Sequence, residues 1–378
     1  MTADTKKRVV VIGGGAAGAT IVRNLSKTLD ASKHQLILIT ARPKFTYLPA
    51  SLRVLVSKDA SLDTVFMPYD TVFGSFPGEL KIGAVSSIEE MKDAPNGHVI
   101  LKDGEQVAYD ILVVATGSAW SGLVSFPNEE AEYKEHVETW RTKFEKASNI
   151  VIVGGGSVGI EIAGEIKDVY PTKSVTIVQG QSRLLNEIYP DRFRADIEQR
   201  LRRRGVDFLF EDQVPKDAQV DPETQTIITK NGKTLKCDLL VVARGAGPNT
   251  SLLSFLKPLP LNEQNLVDVM PTLQVRGHPS IFAAGDIINL PEAKQFAKTA
   301  GHASVVSANV MSLLKDQEPK KECKPGKEII VISNGKNGGA AYFGILWGLC
   351  FGDYFCRTIK SRDLLVGVVR QGLGLPKI

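Results

Sequence analysis

A glycine cluster set between an apolar run and a helical pattern occurs twice in this chain of 378 residues. The first cluster, Gly13-Gly14-Gly15-Ala16-Ala17-Gly18, follows the apolar run Arg8 to Ile12 and opens a helical pattern through Leu29, with a second apolar run at Gln35 to Thr40. The second, Gly154-Gly155-Gly156-Ser157-Val158-Gly159, lies between Asn149 to Val153 and a helical pattern over Val158 to Val169, and leads to the run Ser174 to Val178. Strand, glycine turn, helix and strand make a βαβ unit, and only in that setting does G-x-G-x-x-G spacing carry meaning. The first glycine permits a tight turn, the second lets the backbone approach a pyrophosphate, and the third lets helix pack on strand. Exposed N–H groups and the helix dipole then hold phosphate charge. The expected fold is α/β, with two Rossmann-like dinucleotide-binding domains.

Two further buried-strand runs, Asp110 to Gly117 and Asp238 to Gly245, close the two halves. A helix is expected from Ala293 to Leu314, and the charged stretch Asp316 to Lys327 reads as a linker. A small α+β unit follows, with a strand at Glu328 to Ser333, a turn at Asn334-Gly335 and a helix-like, aromatic-rich stretch from Gly344 to Ile359. This divides the chain into a discontinuous first domain (residues 1–118 and 246–318), a second (119–245) and a C-terminal unit (319–378). Composition is that of an ordinary globular enzyme, 43% hydrophobic and 23% charged, and no run of about 18 apolar residues could span a membrane. The net charge of +4 is mild, and Arg200 to Arg204, interrupted only by Leu201, reads as a solvated helix face, with nucleic acid as the alternative. The residues from Met1 to Arg8 show no signal or transit pattern, and Thr2 excludes N-myristoylation. A cytoplasmic location is expected, with association to mitochondria or a lipid surface left open.

Two intact sites in one chain suit a flavin dinucleotide and the nicotinamide dinucleotide that reduces it. The ordered landmarks, namely the first cluster, Ala115-Thr116-Gly117, the second cluster and Ala283-Ala284-Gly285-Asp286, resemble those of the two-dinucleotide-binding-domain flavoproteins. The resemblance implies FAD on Gly13, Gly14, Gly15, Ala16, Ala17 and Gly18, with Thr116, Gly117 and Lys294 in the same site and Asp286 on the ribityl chain. The helix from Ala293 would aim its N-terminal dipole at the flavin. NADH or NADPH would occupy Gly154, Gly156 and Gly159, with Gly245 close by. Two departures bear on affinity and specificity. Thr40 stands where an acidic ribose partner is expected; Arg42, Lys44 and Arg53 are candidates to compensate through phosphate, the resemblance favouring Arg53 and the backbone at Val85. Gln179 replaces the acid of the second site and Arg183 follows four positions on, so NADPH stays compatible. Glu161 has two readings, a carboxylate near the nicotinamide or a helix-start carboxylate favoured by the dipole.

The electron acceptor is constrained by sulfur. The first cysteine is Cys237, whereas a redox disulfide or a sulfide-oxidising pair needs a cysteine much earlier; the loop expected near the flavin reads Phe45-Thr46-Tyr47-Leu48-Pro49 instead. Cys350 and Cys356, on one helix, would face different ways, and no metal-ligand spacing occurs. A flavin here must reduce a small acceptor directly. The C-terminal motifs Ser333-Asn334-Gly335-Lys336-Asn337-Gly338-Gly339, Gly352-Asp353 and Thr358 to Leu364 resemble the ferroptosis suppressor proteins, also called AIF-like mitochondrion-associated inducers of death. That resemblance implies an NAD(P)H:ubiquinone reductase, with oxygen as the other acceptor, and places Lys360 near the flavin; an ordinary surface lysine is the alternative. The aromatic row Tyr342, Phe343, Trp347, Phe351, Tyr354 and Phe355 fits a small core, a quinone entrance or a weak lipid contact. A redox-gated death effector acting through DNA or protein binding is the competing class.

Overall fold

The computed structural model describes residues 6–91 and 96–377, so Thr2 and the rest of the first five residues lie outside the described residues. Val9, Val10, Val11 and Ile12 are buried on both faces, as a central parallel strand requires. Their strand, Lys7–Ile12, sits inside a six-stranded sheet whose order across is Gln274–Val275, His278–Ala283, Ile111–Val114, Lys7–Ile12, His34–Thr40 and Glu79–Ile82. Only the edge strand Gln274–Val275 runs antiparallel. The helix Ala16–Leu25 covers one face and packs against Thr299–Leu314. It ends one turn before Leu29, in hydrogen-bonded turns at Lys27 to Leu29.

The second unit repeats the plan in four parallel strands, in the order Val206–Phe210, Ser174–Gln179, Asn149–Val153 and Leu239–Val242, with the helix Ser157–Val169 after its glycine turn. The chain crosses between the sheets twice, and the two crossings pair as a short antiparallel ladder, Ser118 with Pro248 and Ala119 with Gly247.

Two expectations need correction. The helix expected from Ala293 begins at Thr299, after a 3-10 turn at Phe296–Lys298. Residues before it are drawn off by other bonds: Lys294 Nζ donates to the Ile288 carbonyl at 2.6 Å and the Ala293 amide to Glu328 Oε1 at 3.3 Å. The stretch Gly344 to Ile359 is not one helix. Ile329–Ser333, Gly339–Phe343 and Leu349–Phe351 form an antiparallel meander, followed by a short helix Asp353–Cys356 and a π-turn Arg357–Ser361. Leu346, Trp347 and Gly348 all have positive φ, which turns the chain back into a strand. Cys350 therefore lies on a strand and Cys356 on a helix. The aromatic row divides accordingly. Tyr342 packs on Tyr189 and Phe193, and Phe343, Phe351 and Phe355 cluster together, while Trp347 and Tyr354 stand 95% and 84% exposed.

Candidate active site

The two glycine turns have the same geometry. Gly13 (φ +101°) and Gly154 (φ +114°) adopt backbone that disfavours any side chain, and a Cβ on either would collide with the carbonyl of Ala115 or Ala243 on the next strand. Gly15 and Gly156 differ from them: a Cβ there would meet nothing within 4 Å. Each caps a helix with no side-chain cap and no acidic residue in the first turn, so the first N–H groups are left for an anion. Ala17 is buried beside Ala16, and Gly18 and Gly159 press against the carbonyls of Gly13 and Gly154. Gly245 likewise faces open space. These cradles fit two pyrophosphates.

The strand ends at Thr40 and Gln179, where acidic ribose partners are expected, are neutral and internally bonded. The Thr40 hydroxyl is buried and exchanges long hydrogen bonds with the Arg42 backbone (3.3 and 3.4 Å). Tyr69, which sequence reasoning passed over, donates from its hydroxyl to the Gly14 carbonyl at 2.8 Å; burial raises that phenol well above its ordinary pKa. The three candidate phosphate partners are engaged elsewhere. Arg42 donates to the carbonyls of Phe126 and Pro127, and Lys44 pairs with Glu130. Arg53 makes a two-pronged bond to Glu165 (2.9 and 2.8 Å) and donates to the carbonyls of Ser361 and Arg362. Val85 opens the strand Val85–Glu90, and Gly83, just before it, bonds the Thr40 carbonyl. In the second site Gln179 Oε1 accepts from the Gly155 amide at 3.0 Å, and its Nε2 donates to the Arg183 carbonyl. Arg183 itself lies between Glu198 and Asp191.

Thr116 and Gly117 sit at the crossing, where Thr116 Oγ1 donates to the Asn249 carbonyl and the Asn249 amide to that of Gly117. Asp286 is half-buried and its Oδ2 accepts from Ser118 Oγ at 2.6 Å. Desolvation pulls the Lys294 ammonium below its ordinary pKa, with Glu292 and Asp286 acting against that.

Glu161 and Lys360, nearly two hundred positions apart, come together. Glu161 lies one turn into the helix rather than at its start, and is 8% exposed. Its Oε1 accepts from Lys360 Nζ at 2.6 Å, from the Ser333 amide at 3.0 Å and from Ser333 Oγ at 3.1 Å. Lys360 also donates to the Val331 carbonyl at 2.8 Å from within a π-turn, an irregularity frequent at functional sites. Tyr47, in the loop expected near the flavin, bonds the Leu364 carbonyl and packs edge-on against Phe296; burial, then the nearby Glu161 and Asp363, raise its pKa well above the ordinary phenol value. Ser333 carried no signal of its own in the sequence. Burial pushes the Cys237 thiol up to about 11, so it is an inert packing group.

Two dinucleotide cradles joined by a paired crossing define a class, and comparison with known proteins agrees. The profile of the pyridine nucleotide-disulphide oxidoreductase family matches residues 7–304. The chain belongs to that family, and its cofactors are FAD and NAD(P)H. Among relatives, it is 43% identical over 325 residues to "FAD-dependent oxidoreductase FVFD30" of Flammulina velutipes, covering 86% of this chain and 100% of that one. It is 29% identical over 382 residues to ferroptosis suppressor protein 1 of Taeniopygia guttata, covering 99% and 98%. In fold it is similar to the sulfide:quinone oxidoreductase of Aquifex aeolicus, with TM-score 0.78, 18% identity and coverage of 98% and 92%. Among the described residues no helix is long and apolar enough to cross a membrane, and no group of His, Cys, Asp and Glu could hold a metal ion.

Proposed function

We propose that this FAD-dependent oxidoreductase passes two electrons from NAD(P)H to a quinone, in the balance NAD(P)H + H⁺ + quinone → NAD(P)⁺ + quinol. FAD, when held on the first glycine turn, would supply the redox chemistry between the nicotinamide and the acceptor. The observation that carries the reading is the Glu161–Lys360 pair, a buried carboxylate fixing an ammonium, in a chain with no cysteine before Cys237. Two Lys360 hydrogens are committed to Glu161 and Val331. Among the described residues the third has no partner, and it suits a developing negative charge or a quinone carbonyl, the role of a preorganised donor. The resemblance of the C-terminal motifs to the ferroptosis suppressor proteins, one of which is 29% identical over 382 residues, favours a quinone over oxygen. Trp347 and Tyr354, exposed on the same C-terminal unit as Lys360, suit weak contact with the lipid surface that holds such an acceptor. The test is anaerobic titration of the FAD-loaded protein with each nucleotide, then turnover with a short-chain ubiquinone analogue. Bleaching of the flavin and quinone turnover faster than with oxygen alone are expected. Quinone turnover at the oxygen rate overturns the reading.

A further inference from the structure

His302 lies in the helix Thr299–Leu314, buried and facing the turn that carries Asp286. The Gly285 amide donates to its Nδ1 at 3.2 Å. A ring accepting at Nδ1 carries its hydrogen on Nε2, and Nε2 lies 2.8 Å from Oε1 of Glu292, which accepts it. Gly285 is itself tightly placed: its φ is +82°, and Ala17 of the first cradle would lie 3.2 Å from a Cβ there. The backbone amide, the imidazole and the carboxylate thus form a chain ending at the cofactor cradle. The other charged groups facing the ring are Lys294 and Asp286. Beyond Glu292, Lys298 stands 3.9 Å from its Oε2 and pairs with Glu328, next to the first strand of the C-terminal meander.

We propose that neutral His302 is a positioning residue for FAD, its Nδ1 holding the Gly285 amide and so the Gly285-Asp286 turn, and that protonation at Nδ1 releases that turn. The proton arrives from solvent and no bond other than the new N–H forms. A protonated Nδ1 would be a donor facing the Gly285 donor, so the hydrogen bond cannot survive and the turn must shift. Burial already lowers the ring's affinity for a proton below the ordinary imidazole value, while Glu292 and Asp286 oppose that and Lys294 adds to it. The proposal rests on the reading that this turn holds FAD.

The test is retention of FAD by holoprotein equilibrated from about pH 8 to about pH 5, across the ordinary imidazole range, read by the fluorescence of released flavin. For the wild type, the apparent FAD Kd is expected to rise by up to about tenfold per pH unit once the ring titrates, the limit for one proton. His302→Asn offers an uncharged oxygen to the Gly285 amide and should keep FAD with a flat profile. His302→Gln can reach Glu292 but leaves Gly285 without an acceptor, so it should bind FAD weakly at every pH. Glu292→Gln still accepts from Nε2 but removes the anion that favours the imidazolium, so release should move to lower pH. Circular dichroism and melting curves confirm that each variant is folded. His302→Asn releasing FAD along the wild-type profile, or Glu292→Gln with an unmoved midpoint, overturns the proposal. Folded wild type that takes up no FAD at any pH overturns the reading beneath it as well.

Discussion

Lys360→Met keeps the length of the side chain and removes only the ammonium. It leaves the buried Glu161 carboxylate with two donors in place of three, the amide and hydroxyl of Ser333. Loss of one charge-assisted hydrogen bond costs about 1.5–3 kcal/mol, and the Val331 carbonyl, stripped of its 2.8 Å partner, adds about 1 kcal/mol. The fold should survive with a lower melting temperature, because the carboxylate is never left without partners. The catalytic effect should exceed the structural one. Removing a preorganised donor from a reacting centre costs about 3–4 kcal/mol, or about 10²- to 10³-fold in rate.

Stopped-flow mixing separates the two half-reactions. Reduction by NADH should slow by less than about tenfold, while oxidation of the reduced protein by the quinone analogue should slow about 10²-fold or more. Glu161→Gln retains an oxygen for all three donors and loses only the charge, so it should fall between wild type and Lys360→Met in both melting and quinone rate. The reasoning is refuted if Lys360→Met melts early yet passes electrons to quinone at the wild-type rate. The pair would then be a strut between two parts of the chain and nothing more.

Other perturbations read the cradles and their surroundings. Gly15→Ala places its methyl in open space at an ordinary φ of −72°, so the chain should fold and melt normally while FAD binding weakens by about tenfold or more, measured by flavin fluorescence. Gly18→Ala drives a methyl into the Gly13 carbonyl and should abolish soluble protein; equal behaviour of the two variants counts against the cradle. Glu198→Ala removes the 3.2 Å partner of Arg183 and leaves only Asp191 at 3.7 Å; it should improve kcat/KM for NADPH over NADH by about tenfold, and an unchanged ratio removes Arg183 from the nucleotide site. Arg53→Ala strands Glu165, whose carboxyl burial already holds above its ordinary pKa against the pull of Arg53, and should cost about 3–5 kcal/mol. Arg53→Lys should recover only part of that in a melting curve, since an ammonium cannot bond both oxygens in parallel. Wild-type melting of Arg53→Ala would return Arg53 to the list of phosphate partners.

The sequence made the strands and turns of both sheets legible because they are dictated locally. Residues 150–153 of the strand Asn149–Val153 form the unbroken apolar run that burial on both faces needs, and Gly13 and Gly154 need positive φ, so residue type alone announces them. The C-terminal unit misled for the converse reason: aromatic residues at mixed spacing fit helix or strand, and the positive φ of Leu346, Trp347 and Gly348 decides it by turning the chain back. Contacts between distant segments left no trace. Ser333 under Glu161, Tyr69 against Gly14 and His302 beneath Gly285 are each a matter of which elements pack together.

That packing concentrates on one helix. In Ser157–Val169 the residues Glu161, Gly164, Glu165 and Asp168 fall at spacings of three, one and three, so they share one face. Gly164 has no side chain there because the backbone of Asn334 and Gly335 occupies the space. Three carboxylates on one partly buried face repel one another unless each is matched, and each is matched from a different segment. Lys360 answers Glu161, Arg53 answers Glu165, and Arg204 with the Lys336 amide answers Asp168. Arg200 joins the same seam through Asp353, so two cations of the basic cluster hold the C-terminal unit in place instead of facing a nucleic acid. Docking of the C-terminal unit thus brings Lys360 to Glu161, while Arg53 and Arg204 from the other segments match the remaining two carboxylates. The charges that complete the candidate site are also the ones that make its three contributing segments hold together.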